Sequence, residues 1–117
     1  MANILLAEDE RNIRFLLASV LIKLGHDVIE AEDGQVALAH LQNMPLFDIL
    51  ITDLKMPRVD GVQLIATCKT DYPKLHIIAM SAYHDQLIEA QTKGADYVLQ
   101  KPFSHKELVD IVQSLIP

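Results

Sequence analysis

Five short apolar runs alternate with five stretches whose apolar residues recur every three or four positions, and few folds accommodate that order. The runs are Asn3–Ala7, His26–Ala31, Phe47–Asp53, Leu75–Met80 and Tyr97–Leu99. Between and after them lie helical patterns. Strict alternation of strand and helix implies a parallel sheet covered by helices on both faces. Crossovers between parallel strands are right-handed, so the chain must reverse direction once to cover both sides. The expected fold is a single doubly wound α/β domain, (βα)5, over residues 1–117; alternation alone leaves the strand order open, and the common flavodoxin-like order 2-1-3-4-5 is the one expected. The reversal opens a crevice at the carboxyl ends of the first and third strands, where such sheets carry their chemistry.

The helix signals are local. Ile13, Leu16, Leu17, Val20, Leu21 and Leu24 form one apolar stripe, and Gly25 is the expected C-terminal cap. The run from His26 is less apolar, as an edge strand would be. Asp33 is placed to cap the second helix, whose stripe is Ala37, Leu38 and Leu41 and whose end is Met44-Pro45. Gly61 starts the third helix, which ends near Asp71-Tyr72-Pro73. The fourth, from about Asp85 to Lys93 and stopped by Gly94, has a thin stripe of Leu87 and Ala90 and is expected to be the least firmly packed. Ser104 and Glu107 form a capping box for the fifth, with Leu108, Ile111, Val112 and Leu115 inward.

Composition excludes several functions. The 117 residues carry a formal charge of −6, and no Lys/Arg cluster offers a nucleic-acid footprint. The apolar run Phe15–Ile22 is too short to span a bilayer, and the early Glu8-Asp9-Glu10 is unlike a signal peptide. The expected setting is cytoplasmic, with no membrane insertion. The single cysteine, Cys68, falls in step with Gly61, Leu64 and Ile65 and reads as core filling. His26, His40, His76, His84 and His105 lack metal-ligand spacing and read as surface or packing residues.

The strand ends carry the chemistry. The third strand stops on Asp53. The first delivers Glu8 and Asp9 to the same rim, the fourth Ser81 and the fifth Lys101. Three carboxylates in one crevice repel, so either one holds a proton or a hard cation joins them. Mg²⁺, which accepts a few carboxylates and keeps several waters, is the cation expected. Lys101 would share the charge of a phosphoryl group and Ser81 would hydrogen-bond it. Nucleophile, metal, cation and hydroxyl donor are what phosphoryl transfer to a carboxylate requires.

Glu8-Asp9, Asp53-Leu54-Lys55-Met56-Pro57, Asp60-Gly61, Ser81, Gly94-Ala95-Asp96 and Lys101-Pro102-Phe103 together resemble the receiver domain of two-component response regulators, across essentially the whole chain. The resemblance implies that Asp53 accepts a phosphoryl group from a phosphohistidine on a sensor histidine kinase or histidine phosphotransfer protein. It implies that Asp9 and Asp53 bind Mg²⁺ directly, Glu8 through water, and Lys55 through its backbone carbonyl. Ser81 would move to the phosphoryl oxygen and Lys101 would ion-pair with it. Ala82 is small enough to admit the donor histidine, and the Lys101-Pro102 peptide is expected to be cis. Lys55 and Tyr83, two residues past Asp53 and Ser81, would tune the phosphoryl lifetime. The output would be protein contact through the face of helix 4, strand 5 and helix 5, including Ile88. No output domain is visible, so both a stand-alone regulator and a receiver cut from a longer chain fit.

One position departs from the family pattern. Val98 stands where an aromatic residue is usual, and Tyr97 lies one residue earlier, which in a strand is the other face. Three readings follow: Tyr97 is a packing residue, Tyr97 or Tyr83 is a switch in another geometry, or the signal passes without an aromatic toggle. Two other functions fit the topology. An aspartyl-phosphate phosphohydrolase usually has a second Asp two residues after its nucleophile, where this chain has Lys55. A flavin carrier needs a Ser/Thr/Gly phosphate loop where this chain has Glu8-Asp9-Glu10.

Overall fold

The computed structural model describes residues 1–44 and 46–116. Among them are β1 (Asn3–Ala7), α1 (Arg11–Lys23), β2 (Asp27–Ala31), α2 (Gly34–Asn43), β3 (Ile49–Asp53), α3 (Gly61–Asp71), β4 (His76–Ser81), α4 (His84–Lys93), β5 (Tyr97–Gln100) and α5 (His105–Ser114). The strands form one parallel sheet in the order β2-β1-β3-β4-β5, the expected doubly wound order.

Burial explains which strand lies where. Every residue of β3 is buried, and so are the last four residues of β1 and the last five of β4. Strands covered on both faces tolerate no polar alternation. β2 and β5 are only partly buried and form the edges. Two cores flank the sheet. Leu5, Leu50, Ile77 and Ala79 face one, with residues of α2, α3 and α4. Ile4, Leu6, Ile49, Ile51, Ile78 and Met80 face the other, with residues of α1 and α5. Cys68 is wholly buried in the first, and burial pushes its thiol up to about 12, which leaves it an inert packing group.

The caps agree with the sequence where they rest on local chemistry. Asp33 accepts the Val36 N–H at 2.9 Å and Asp60 the Gln63 N–H at 2.9 Å. The Ser104–Glu107 box is formed. Gly25 takes a left-handed φ of 95° just past α1. Pro45, expected to close α2, lies outside the described residues.

Two expectations are corrected. In the α1 stripe, Leu17 and Leu21 are buried, but Leu16 and Leu24 are about half exposed, at 50% and 40%. The stripe is wider than the surface the sheet and α5 offer, and Leu16 turns to a groove beside the site. β3 begins at Ile49 rather than Phe47; Asp48 just before it is the fringe of the sheet, its N–H donating to the Asn3 carbonyl at 2.8 Å and its carboxylate accepting the Asn3 N–H at 2.8 Å. The thin stripe of α4 is observed: it buries Leu87 and Ala90, with Gln86 partly buried, where α5 adds partly buried Val109 and Ile111 to Leu108 and Val112. Its N-terminus differs too, because its N-cap residue Tyr83 makes no side-chain cap.

Candidate functional site

Sheet register assembles the site. Ala7 pairs with Thr52, so Glu8 emerges beside Asp53. Asp53 pairs with Met80, and Ser81 follows. Ser81 pairs with Gln100, and Lys101 follows. Each side chain stands at the end of its strand or just beyond, and all open onto one rim. They line a cleft of about 280 Å³ together with Asp9, Lys55, Ala82 and Tyr83.

The carboxylates are close: Glu8, Asp9 and Asp53 each place one oxygen within 4.8 Å of the others. Lys101 Nζ sits 2.8 Å from Glu8 Oε1 and 3.4 Å from Asp53 Oδ2. Glu8 is fully buried, and its other oxygen accepts the Glu10 N–H at 3.1 Å. Asp53 Oδ1 accepts the Leu54 N–H at 2.9 Å. Asp9 is exposed at the mouth. The loop after β3 is held from behind, since α3 begins so close to the Asp53 carbonyl that a Cβ on Gly61 would lie 2.2 Å from it. Only glycine allows that approach.

Burial and mutual repulsion govern the titration. Desolvation raises Glu8 to about 7, although the hydrogen bonds from Lys101 and from the Glu10 amide pull the other way. Asp53 is raised for the same first reason, with Lys101 opposing. Burial alone would lower Lys101, but its hydrogen bond to Glu8 and the charge of Asp53 outweigh it and hold the ammonium up. The cluster therefore carries more negative charge than one lysine settles. Hard, mutually close oxygen donors with surplus charge fit a small divalent cation such as Mg²⁺.

Ser81 donates its hydroxyl hydrogen to Gln86 Oε1 at 2.7 Å and accepts the Tyr83 N–H at 3.0 Å. Lys55 Nζ lies 5.9 Å from the centre of the Tyr83 ring, so the two side chains meet across the mouth. The Lys101-Pro102 peptide is cis. Two expected switch residues are not in the cleft. Val98 packs against the core that contains Leu87 and Ala90 of α4. Tyr97, on the other side of β5, is 40% exposed. Three further contacts have no signature in the sequence. Gln86 bonds Ser81. Arg14 donates to the Glu8 carbonyl at 2.8 Å. Arg58, with a left-handed φ of 67°, places its guanidinium 2.7 Å from buried Asp33 and ties the loop after β3 to α2. The last spans 25 positions in the chain, and no local pattern announces it.

Beside the cleft an apolar groove of about 420 Å³ runs between Ile13, Leu16 and Leu17 of α1 and the Lys101-Pro102-Phe103 segment, sharing Ala82 and Lys101 with the cleft region. Among the described residues, no helix is long and apolar enough to cross a membrane.

Comparison with known proteins places this arrangement. Residues 4–113 match the family described as response regulator receiver domain. The chain is 37% identical over 113 residues to the response regulator protein FleR of Pseudomonas aeruginosa, covering 95% of this chain and 24% of FleR. It is 31% identical over 118 residues to the response regulator receiver protein CpdR of Brucella abortus, covering 99% of this chain and 98% of CpdR. Among solved structures, the response regulator TrrA of Thermotoga maritima, in complex with Mg²⁺–BeF, superposes with a TM-score of 0.91 at 30% identity, covering 99% of this chain and 100% of that one. The chain spans only about a quarter of FleR but nearly all of CpdR.

Proposed function

This chain belongs to the family of response regulator receiver domains, and from that premise we propose that it is a signalling switch phosphorylated on Asp53 by a phosphohistidine donor, a sensor histidine kinase or histidine phosphotransfer protein. The observation that carries the reading is the convergence on one rim of three carboxylates, Ser81, and a lysine ion-paired to both Glu8 and Asp53.

In this reading Asp53 Oδ attacks phosphorus. A P–O bond forms as the P–N bond of the phosphohistidine breaks, and the electron pair leaves on the imidazole nitrogen. Asp9, Asp53, the Lys55 carbonyl and, through water, Glu8 would hold Mg²⁺, which would supply positive charge to the phosphoryl oxygens. Lys101 pairs with one of those oxygens and Ser81 donates to another. Exposed Ala82 leaves room for the donor ring. The apolar groove beside the cleft gives the donor protein a surface to rest on. Lys55 and Tyr83, meeting across the mouth, hinder an attacking water and lengthen the life of the acyl phosphate. The hydrolase reading is disfavoured because Lys55 cannot serve as general acid in place of a carboxylic acid.

Output passes to a protein partner through α4, β5 and α5, where Ile88 and Tyr97 are exposed. With Val98 packed behind α4, Tyr97 acts on that surface rather than as a buried toggle. The acidic composition argues against direct nucleic-acid contact by these residues.

The test is intact-mass spectrometry after incubation with acetyl phosphate, with and without Mg²⁺. One phosphoryl adduct is expected, dependent on Mg²⁺ and absent in Asp53→Asn. An adduct that persists unchanged in that variant places the acceptor elsewhere.

A further inference from the structure

We propose that Gln86 is a latch on Ser81. Its side-chain carbonyl holds the Ser81 hydroxyl in the unphosphorylated protein and must let go before Ser81 can serve a phosphoryl group. The inference rests on the reading of Asp53 as phosphoacceptor and adds a positioning residue and a route for the signal.

A serine hydroxyl has one hydrogen to donate. Here that hydrogen is spent on Gln86 Oε1, at 2.7 Å, while the same oxygen accepts the Tyr83 N–H. Ser81 is buried and lines the cleft that holds Asp53. A phosphoryl group on Asp53 would offer acceptor oxygens with full charge, and a charged acceptor makes the stronger hydrogen bond. The two acceptors compete for one hydrogen, so phosphorylation frees Gln86.

The consequence falls on α4. Its N-cap residue Tyr83 contributes no side-chain cap. Among the described residues, two hydrogen bonds of the Ser81 side chain tie the start of α4 to the end of β4, one to Gln86 and one from the Tyr83 N–H, and the bond to Gln86 is the one that uses the Ser81 hydrogen. Gln86 is followed by buried Leu87 and exposed Ile88. Opening the latch therefore loosens the turn that seats Leu87 and presents Ile88. A signal so carried needs no aromatic residue at Val98.

The experiment measures beryllofluoride affinity with saturating Mg²⁺, by amide NMR titration, in wild type, Gln86→Met, Ser81→Ala and the double variant. Met keeps the length and helix propensity of Gln but lacks the acceptor. Gln86→Met is expected to bind about three- to tenfold more tightly, within what one net hydrogen bond supplies, and the gain is expected to vanish in the Ser81→Ala background. Unchanged affinity, or an equal gain without Ser81, overturns the latch. A purely structural role for Gln86 would not make the effect depend on Ser81. Gln86→Leu serves as a second variant, and hydrogen exchange on wild type needs no variant at all. The amides of residues 84–87 are expected to exchange faster once beryllofluoride is bound, and unchanged or slower exchange there counts against the latch. Should wild type bind no beryllofluoride, the phosphoacceptor reading fails. The latch is then still judged by whether those amides exchange faster in unliganded Gln86→Met than in wild type.

Discussion

α4 and α5 are each ten residues long, follow neighbouring strands and bury two apolar side chains. They differ in what fixes their first turns. α5 is closed by its own sequence: Ser104 Oγ accepts the Glu107 N–H at 3.1 Å and Glu107 reaches back to the Ser104 N–H at 3.4 Å. α4 has no such box, and its first turn is tied by Gln86 to Ser81, a residue of the site. At its C-terminus α4 stops on Gly94, with φ 119°, where a Cβ would meet the Lys69 side chain at 2.5 Å. One helix is anchored by local capping and is indifferent to the cleft. The other is anchored through the cleft and answers to it. Two helices of equal length, each with two buried apolar side chains, can thus have unequal roles, because a polar contact and not only the core distinguishes them.

The largest effect expected to sharpen this contrast comes from Lys101, which adjoins α5 in the chain but faces Glu8 and Asp53. Lys101→Met removes the cation from the cleft. Beryllofluoride affinity is expected to fall at least about tenfold, in keeping with the loss of a charge-assisted hydrogen bond of roughly 1.5–3 kcal/mol. The ligand-induced change in α4 exchange should be lost with it. The protein should still fold, because Glu8 can take up a proton instead of remaining an unpaired buried charge. A response that moves to α5 amides in wild type but not in this variant would show that α5, through Lys101, also reads the site.

The next effect is on pH. Glu8 is raised in the folded chain to about 7 from an ordinary 4.5. Between those values the folded state holds a proton that the unfolded state has released, so stability from this group is full below pH 4.5 and is lost as pH rises through 7. The span is about 3 kcal/mol at roughly 1.36 kcal/mol per unit. His26 acts oppositely, since burial lowers it and its share is lost as pH falls below 6.5. The difference between wild type and Glu8→Gln, followed by urea unfolding without Mg²⁺ from pH 4.5 to 8, isolates Glu8. Mg²⁺ competes with that proton, so its affinity should rise over the same interval. With no phosphoryl oxygen to draw Ser81 away, the relative exchange of α4 and α5 should stay level throughout. A pH-driven loosening of α4 alone would mean that its anchor senses charge and not only an acceptor.

Lys55 and Tyr83 come third. Tyr83 is both the N-cap residue of α4 and one side of the cleft mouth. The Lys55→Ala/Tyr83→Ala variant is expected to lose its phosphoryl group several-fold faster, followed by intact mass after removal of acetyl phosphate. Equal or slower loss would leave these side chains no role in shielding the acyl phosphate.

Much of this was legible in the sequence, for stated reasons. β1, β3 and β4 read as strands because burial on both faces demands unbroken apolar runs. Their parallel register then carried Glu8, Asp53, Ser81 and Lys101 to one rim. Leu16 and Leu24 were misread, because periodicity reports which residues share a helix face and not how wide a neighbour covers it. The Arg58–Asp33 pair was hidden by sequence separation. Gln86 was hidden for another reason: a polar residue in a first helical turn has no period, and its partner belongs to the preceding strand. The device that distinguishes α4 from α5 is therefore the part a pattern cannot reveal.

The smallest expected effect is the sharpest control. Ser104→Ala removes the α5 cap and should cost about 1 kcal/mol, or roughly 4 °C in Tm for a chain of this size. Ser104 does not line the cleft, and among the described residues its side-chain hydrogen bonds lie within the first turn of α5. Beryllofluoride affinity should therefore stay within twofold of wild type while α5 amides exchange faster. Gln86→Met should do the reverse, altering affinity more than stability. If loosening α5 changes affinity as much as loosening α4 does, the cleft responds to general softening of this face, and the contrast between a helix anchored by its own cap and one anchored by the site no longer holds.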